Sequence, residues 1–249
     1  SPESPEILIA GCGTGQHALV TASRFTNAQV LAVDLSLNSL AYAERKTREL
    51  GFSNIEYVQG DLTELGQLER RFDLIECAGV LHHLGDPLAG WQVLVDLLRP
   101  GGLIKIGLYS KIARQHIIPW PSLTAGKRYT TSLADIHRCR QDVMAMAGNG
   151  NTNMARISNY SNFFSVSGCR DLLFPAREHR FTLPQIEAAL TSLQLKFLGF
   201  ETRDQRTLTK FRESHPNISA LTSHSLWHNF ELDNPETFRG MYQSWCKKL

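Results

Sequence analysis

The chain has 249 residues, of which 42% are hydrophobic and 20% charged, and its formal net charge is +2. These values are typical of one large globular domain, or of one domain with a substantial insertion. The small net charge predicts no general affinity for nucleic acid or a membrane surface, and no apolar run approaches the roughly 18 residues that span a bilayer. The five cysteines form no Cys-x-x-Cys pair, so neither a disulfide framework nor structural zinc is indicated, and a reducing cytoplasm is favoured.

A glycine-rich turn follows the first apolar run, Ile7 to Ala10. The run predicts a strand buried on both faces, and residues 17–25 predict a helix after the turn. Glycine at positions 11, 13 and 15 lets a ligand approach the backbone, because no Cβ is in the way. The following helix would direct N–H groups and partial positive charge at a carboxylate or phosphate. The dinucleotide pattern Gly-x-Gly-x-x-Gly fails at Gln16, which argues against a nicotinamide site.

Strands and helices then alternate through the first 110 residues. Further strands are predicted at 30–33, 55–58, 72–77 and 103–108. One helix is predicted to turn Leu37, Leu40, Ala41 and Leu50 inward, and another to open at Asp86-Pro87 and stop at Pro100. This alternation predicts a Rossmann-like, doubly wound, mostly parallel α/β sheet, in which ligands bind at the carboxyl ends of the strands.

The second half of the chain breaks this rhythm at residues 111–180. Helices are predicted there near 132–147 and 167–174, with a flexible joint at the polar segment 148–153. Beyond it we expect a helix capped by Thr182, a sixth strand at 195–200, a seventh strand near 226–230 and a helical tail from Pro235. The predicted organisation is a seven-stranded core, residues 1–110 and 181–249, with residues 111–180 as an α-helical lid inserted after strand five.

Four side chains near the strand ends are candidates for chemistry. Asp34 ends the second strand nineteen residues after Gly15, where a carboxylate can accept both hydroxyls of a ribose; a helix-capping or loop aspartate is the alternative. Glu76 lies inside the fourth strand and could reach a cofactor amine or neighbouring backbone. His82 and His83 are candidates for a general base. At most one can face a pocket, because adjacent side chains diverge; packing and helix capping are the alternatives.

The motifs taken together resemble those of class I S-adenosylmethionine-dependent methyltransferases. The segments that carry the resemblance are 10–15 (Ala-Gly-Cys-Gly-Thr-Gly), 33–34 (Val-Asp), 60–61 (Gly-Asp), 72–77 (Phe-Asp-Leu-Ile-Glu-Cys), 81–84 (Leu-His-His-Leu) and 98–102 (Leu-Arg-Pro-Gly-Gly). The segments 79–84, 106–110 and 178–184 are further similar to the methyltransferase domain that accompanies tetratricopeptide repeats in bacterial proteins. That resemblance, with the abrupt start of the first strand, implies a repeat region upstream in the same protein.

The resemblance also implies a cofactor and its contacts. The methyl donor would be S-adenosylmethionine and the product S-adenosylhomocysteine. The implied contacts are Gly11, Cys12, Gly13 and Gly15 to the aminocarboxypropyl arm, Asp34 and Leu35 to the ribose, Asp61 and Leu62 to the adenine, and Cys77, Ala78 and Gly79 on the methyl-bearing side. For Asp61 a solvated loop acid is the alternative, and Cys12 could equally be a small packing residue. Clustered carboxylate and amide ligands are lacking, so no metal is predicted.

Residues 111–180 are the expected acceptor-binding segment. They contain ten basic and four acidic residues, a net charge of +6, whereas the rest of the chain carries −4. Arginine beside aromatic residues suits an anionic or planar acceptor; a solvated basic helix face is the alternative. The residues assigned to the acceptor are Tyr109, Arg138, Arg140 and Arg170, and the interspersed aromatics are Trp120, Tyr129, Tyr160, Phe163 and Phe164.

The sequence therefore favours a methyltransferase that acts on a small-molecule or peptide-like acceptor, with neither nucleic acid nor membrane as partner. Methyl transfer from an activated donor needs mainly proximity and alignment, and a base only where the acceptor must lose a proton. Two alternatives stay open. One is a non-catalytic module that binds the cofactor or a partner protein. The other is a nicotinamide-dependent oxidoreductase, against which Gln16, Asp61 and the Pro100-Gly-Gly segment argue.

Overall fold

The computed structural model describes residues 4–117, 129–174, 177–202 and 204–249. The chain divides into two compact units. The core unit comprises Ser1–Ser110 and His179–Leu249, and the insertion unit comprises Lys111–Glu178. Trp120, Lys127 and Arg128, which the sequence places in the insertion, lie outside the described residues.

The elements follow one another in the alternating order that the sequence predicts for its first part. The strands are β1 (Glu6–Ala10), β2 (Gln29–Asp34), β3 (Ile55–Gln59), β4 (Phe72–Ala78), β5 (Leu98–Leu108), β6 (Leu195–Phe200) and β7 (Tyr242–Lys248). The α-helices are α1 (Gln16–Arg24), α2 (Leu37–Glu49), α3 (Pro87–Leu97), α4 (Leu133–Gly148), α5 (Thr152–Ser158), α6 (Val166–Leu173), α7 (Leu183–Ser192), α8 (Gln205–Ser214) and α9 (His224–Asp233). Helices α4 to α6 belong to the insertion unit. Short 3-10 helices cover Leu62–Gln67, Leu81–His83, Ser161–Phe164 and Ile218–Thr222.

The sheet of the core unit has the strand order β3-β2-β1-β4-β5-β7-β6. Strands β1 to β5 pair in parallel, and β7 runs antiparallel to both of its neighbours, β5 and β6. The predicted Rossmann-like, mostly parallel, seven-stranded sheet is thus confirmed. The reversal between β1 and β4 separates the two halves of the sheet, and ligands of such sheets bind at that switch point. In the described ranges, no helix has the length and apolar character needed to cross a bilayer.

Apolar layers cover both faces of the central strands. Ile7, Leu8 and Ile9 of β1 are at most 1% exposed, as the apolar run predicts for a doubly covered parallel strand. On one face they meet a cluster that includes Ala18 of α1 and Leu40 of α2. The opposite face carries the larger cluster, to which α3, α7, α8 and α9 contribute.

The predicted inward stripe of α2 is wrong at three of its four positions. Leu37 and Leu50 are 63% and 61% exposed, and Ala41 is exposed as well. The helix instead buries Leu40, Ala43 and Thr47. Because the Ser36 side chain caps the helix at Ser39 N–H, Leu37 becomes the first helical residue, and the face that reaches the sheet starts three positions later.

Strand β5 begins earlier than the sequence predicts. Helix α3 ends at Leu97, so Pro100 lies inside the strand and does not terminate the helix. Leu98 pairs with Phe72, and the register shifts between Phe72 and Leu74. Proline is tolerated at such an irregularity because it has no N–H to contribute to the ladder. The cap at Asp86 with Pro87 as first helical residue is confirmed, since the Asp86 carboxylate accepts from the backbone N–H groups of Leu88 and Ala89.

Of the predictions for the C-terminal part, the helix that begins after Thr182 and the sixth strand at 195–200 are confirmed, whereas the last two are wrong. The segment 226–230, predicted as strand seven, lies in helix α9, and the tail predicted as helix contains β7. His224, Trp227, Phe230 and Glu231 are the buried positions, and their spacing of three and four residues is helical. Ser223 caps this helix. Tyr242, Ser244 and Cys246 lie at alternate positions of β7. This alternation alone does not identify the strand, which is defined by its pairing with β5 and β6. Helix α8 was not predicted.

The insertion unit has an apolar core of its own. Ile136, Cys139 and Val143 of α4 pack with Ile157 of α5 and Leu172 of α6. The predicted helices near 132–147 and 167–174 are confirmed. The segment expected to be a flexible joint, 148–153, contains the last residue of α4, a turn at 149–150 and the first two residues of α5, Thr152 and Asn153. Its flexibility stays a prediction. Asn151 caps α5 by accepting from Met154 N–H at 3.1 Å.

The core unit encloses an ionisable group whose titration can be tested. Glu231 is fully buried and accepts from the Tyr242 hydroxyl at 2.6 Å and from the Ser110 hydroxyl. Burial raises the pKa of Glu231, although both hydroxyls oppose that rise. Since the folded-state pKa lies above the unfolded one, the contribution of Glu231 to stability is fully present below the unfolded pKa and is lost as pH rises through the folded pKa.

Replacing Glu231 by glutamine removes this loss. Glu231→Gln should therefore gain unfolding free energy relative to the parent protein as pH rises from about 4, where unfolded glutamate titrates. Urea unfolding of both proteins at a series of pH values measures the difference. Glu213→Gln, an exposed change on α8, is the control and should leave the difference flat. Parallel curves for Glu231→Gln and the parent protein would contradict the prediction.

Candidate functional site

A cleft of about 670 Å³, counted to its open mouth, lies in the core unit where β1, β2, β3 and β4 end. Its walls come from the loops that follow these four strands, which is where a doubly wound sheet binds ligands. The lining residues are Ala10, Gly11, Val33, Asp34, Leu35, Gly60, Asp61, Leu62, Leu65, Gly79, Val80, His83 and Leu84.

The glycine loop after β1 requires two of its glycines for close approach. A Cβ on Gly11 would lie 2.1 Å from a methyl of Val80, and one on Gly15 would lie 2.6 Å from Cβ of Ala43. Both glycines also have left-handed backbone conformations, with φ of +78° and +84°, which residues other than glycine rarely adopt. The loop can therefore lie against the segment after β4 and against α2 only with glycine at these positions.

The N–H groups of this loop are used inside the protein. Gly11 and Cys12 both donate to the carbonyl of Val33, at 2.8 and 3.0 Å, and Gly15 donates to the carbonyl of Cys12. Gly13 N–H donates to the Asp34 carboxylate at 2.7 Å. The sequence predicted that the loop would offer its N–H groups to a ligand, but at these four positions they maintain the loop. A Cβ at Gly13 would meet open space, so the loop surface itself stays accessible.

Asp34 is held in place by two backbone donors. Its Oδ2 accepts from Gly13 and its Oδ1 accepts from Ser36 N–H at 2.9 Å. The alternative of a loop-stabilising aspartate is thus correct for these two bonds. Each carboxylate oxygen can accept a further bond, and Asp34 lines the cleft beside the exposed Leu35. The geometry combines both interpretations, because the bonds that stabilise the loop also orient the carboxylate.

Asp61 occupies the other polar end of the cleft. Its Oδ1 accepts from the hydroxyl and the N–H of Thr63, at 2.7 and 2.8 Å, which caps the 3-10 helix Leu62–Gln67. These bonds lower the pKa of Asp61. The second oxygen is available to a donor, and the buried Leu62 lines the cleft beside it.

An apolar wall joins the two carboxylates, and the sequence assigned only part of it. Leu65, Val80 and Leu84 line the cleft and were not assigned to the cofactor. Leu84 stands in the quoted Leu-His-His-Leu segment, and Val80 immediately precedes it, so that segment was the available signal. Leu65 lies in the 3-10 helix, where no sequence pattern marked it. Two carboxylates separated by an apolar wall suit a nucleoside, whose base is planar and whose ribose donates hydrogen bonds.

Five of the residues assigned to the cofactor do not line this cleft: Cys12, Gly13, Gly15, Cys77 and Ala78. Cys77 is fully buried, and burial raises its pKa to about 12. Burial and the nearby Asp34 also raise the pKa of Cys12 to about 12. Both sulfurs are therefore thiols at neutral pH and act as small packing groups.

Glu76 is almost completely buried and does not line the cleft. It is 5% exposed, forms an ion pair with His17 of α1, and accepts from the Thr21 hydroxyl at 3.1 Å. Burial would raise the pKa of Glu76, but His17, Lys105 and the Thr21 hydroxyl outweigh burial and lower it. Through His17 and Thr21, Glu76 joins β4 to α1.

The two adjacent histidines have different environments. His82 is fully buried and stacks on Tyr109, with ring centroids 3.7 Å apart, and its carbonyl accepts from His179 N–H at 2.8 Å. His83 is partly exposed and lines the cleft. The expectation that at most one histidine faces the pocket agrees with this arrangement, and the residue is His83. Tyr109, assigned to the acceptor, is 8% exposed.

The three arginines assigned to the acceptor all have partners within the insertion unit. Arg138 forms an ion pair with Asp135 and lies over the ring of Tyr129. Arg140 donates to the carbonyl of Phe164, and Arg170 donates to the carbonyl of Thr131 at 3.2 Å. For Arg138, whose side chain is exposed, these contacts favour the alternative of a solvated helix face. Over the described ranges, no three His, Cys, Asp or Glu side chains are grouped so that they could hold a metal ion.

Comparison with known proteins shows what the core unit is similar to. Residues 7–102 match the family described as methyltransferase domain. An uncharacterised protein of Synechococcus sp. is 29% identical over 234 residues, which are 92% of this chain and 56% of that protein. The malonyl-[acyl-carrier protein] O-methyltransferase of Priestia megaterium is 25% identical over 185 residues, 73% of this chain and 58% of that protein.

A solved structure extends the likeness to both units. PKMT2 from Rickettsia typhi in complex with AdoHcy matches with a TM-score of 0.68 at 16% identity, over 99% of this chain and 49% of that one. The chain thus spans about half the length of the proteins it matches. The family match over residues 7–102, the strand order of the sheet and the structural likeness show that the core unit has the fold of the class I S-adenosylmethionine-dependent methyltransferases.

Proposed function

We propose that the core unit binds S-adenosylmethionine in the cleft and transfers its methyl group to an acceptor. The observation that carries the proposal is the pair of oriented carboxylates, Asp34 and Asp61, at the two ends of an apolar wall. The family match and a structural relative solved with AdoHcy support the same cofactor. The glycine loop fits this guest because its surface at Gly13 is open and its backbone lies close to the cleft.

Each part of the cleft has a role in this proposal. Asp34 would accept from the ribose hydroxyls, and Asp61 would accept from the adenine amino group beside Leu62. The carbonyls of the glycine loop would face the amine of the cofactor, because the loop N–H groups at 11, 12, 13 and 15 already donate within the protein. When bound, S-adenosylmethionine supplies a methyl group that its sulfonium centre has already activated. The protein then contributes alignment and exclusion of water.

His83 is the residue we propose as general base where the acceptor must lose a proton. It lines the cleft, whereas His82 is buried against Tyr109. Imidazole is suited to proton transfer near neutral pH. His82 would act as a positioning residue, because its ring packs on Tyr109 while the loop that carries both histidines is bonded to His179.

The insertion unit is proposed to select the acceptor, a small molecule or a peptide-like group. It leaves the core unit after Ser110, at the carboxyl end of β5, and returns before Phe181. Ser110 and Phe181 form a β-bridge, so both junctions lie at the sheet edge that carries the cleft loops. Its net charge of +6 favours an anionic acceptor. An upstream tetratricopeptide-repeat region stays a prediction.

The cofactor assignment predicts the effect of removing one carboxylate. Asp34→Ala should weaken binding of S-adenosylhomocysteine by roughly 10- to 150-fold, because charge-assisted hydrogen bonds contribute about 1.5–3 kcal/mol. Isothermal calorimetry measures the change. Asp96→Ala, which removes an exposed carboxylate of α3 bonded to Gln92, is the matched control and should bind as the parent protein does. Unchanged affinity of Asp34→Ala would exclude the ribose assignment.

The two histidines should separate in function and stability. His83→Ala should lower kcat and remove the pH–rate limb near neutrality, with cofactor affinity nearly unchanged. His82→Ala should lower the unfolding free energy by about 2–4 kcal/mol, as other large-to-small changes at buried sites do. Turnover on a panel of acceptors and urea unfolding measure the two effects. Full activity of both variants would show that transfer depends on alignment alone.

A further inference from the structure

A groove of about 620 Å³ lies on the insertion unit, away from its apolar core. It is lined by His137, Arg140, Gln141 and Met144 of α4 and by Phe164. Met144 and Phe164 are 53% and 63% exposed, although side chains of this kind are usually buried. The lining therefore combines two exposed apolar side chains with the guanidinium of Arg140.

The groove follows one face of a helix. Leu133, His137, Arg140, Gln141 and Met144 recur every three or four residues along α4, so their side chains share a face. The buried face of the same helix carries Ile136, Cys139 and Val143 instead. From Leu133, which is 57% exposed, to Met144 the stripe is roughly 16 Å long at 1.5 Å per residue. That length exceeds what one small molecule needs and suits a short peptide.

The arginines of the insertion unit differ in whether a carboxylate neutralises their charge. Arg138 has Asp135 as its ion-pair partner, and Arg114 has Glu178 at 2.9 Å. Arg140 and Arg170 donate to neutral carbonyls only, and in the residues that the structure describes neither has a carboxylate partner. Arg140 lines the groove, whereas Arg170 lies outside the lining, and its bond to Thr131 places it near the N-terminal end of α4. Both guanidinium charges are therefore available to an anion, and the groove lining contains no acid that would repel one.

From these observations we propose that the groove docks an acidic, amphipathic peptide segment of an acceptor protein. Apolar side chains of the peptide would lie on Met144, Phe164 and Leu133, and its carboxylates would pair with Arg140 and Arg170, in the manner of a helix bound in a groove. A nucleic acid is less suited, because the surface offers two uncompensated arginines and aliphatic side chains, not a row of cations along a backbone track. The view that this peptide segment belongs to a methyl acceptor rests on the proposed function. The docking of the peptide in the groove does not depend on it.

The experiment starts from a display library of random peptides of about 12 residues, selected on the full chain. The enriched peptides should be net negative and carry apolar residues at helical spacing. One of them is synthesised with a fluorescent label, and its Kd is measured by anisotropy. Arg140→Gln and Met144→Gln should each weaken binding roughly tenfold, and added salt should weaken it further. Arg138→Gln, whose guanidinium is already paired with Asp135, should change the Kd less than about twofold.

Leu232→Gln, an equally exposed apolar residue of α9 in the core unit, controls for general loss of surface hydrophobicity and should also bind normally. Thermal unfolding of every variant confirms that the fold is retained. The proposal is overturned if enriched peptides are neutral or basic, if Arg138→Gln weakens binding as much as Arg140→Gln, or if a 12-nucleotide single-stranded oligonucleotide, within the usual site size of single-strand binding proteins, competes with the peptide. Titration of the same samples with S-adenosylhomocysteine separates the two proposals. If the protein binds the peptide but not the cofactor, only the proposed methyl transfer is rejected. If it binds the cofactor but not the peptide, only the proposed docking is rejected.

Discussion

The carboxylate of Asp34 bonds to two backbone segments that would otherwise be independent. Its bond to Gly13 fixes the loop after β1, and its bond to Ser36 fixes the start of α2. Parallel strands bring these loops to one edge, but they do not by themselves set the position of the loops within an ångström. The aspartate supplies that constraint, and the same group is then oriented toward the cleft. A carboxylate whose orientation is set before the ligand arrives loses little freedom on binding.

Glycine makes the second contribution to this constraint. A Cβ at Gly11 would collide with Val80, and a Cβ at Gly15 would collide with Ala43 and Tyr57. The loops after β1 and β4 can therefore meet at the floor of the cleft. The contact extends to the histidine segment, whose buried His82 stacks on Tyr109 while His83 lines the cleft. Packing thus assigns different roles to two identical neighbouring residues.

Charge is organised differently in the two units. The core unit keeps its buried ionisable groups in pairs or bonds, as for Glu76 with His17 and Glu231 with two hydroxyls. The insertion unit pairs Arg114 and Arg138 but leaves Arg140 and Arg170 bonded to carbonyls. A buried charge without a partner is costly, whereas an exposed one is solvated and can serve recognition. The +6 charge of the segment therefore does not act as a whole, and only part of it can meet an anionic partner.

Sequence patterns alone predicted the alternation of β1 to β5 with α1 to α3, the glycine loop and the strand-end positions of Asp34 and Asp61. These features are local, because apolar runs, caps and turn glycines act on residues a few positions away. The folded structure was needed to show that the segment at 226–230 is helical and that β7 follows it, since β7 is defined by its pairing with β5 and β6. It alone distinguished His83 from His82 and Arg140 from Arg138. Burial and partner choice depend on residues distant in sequence, and no local pattern encodes them.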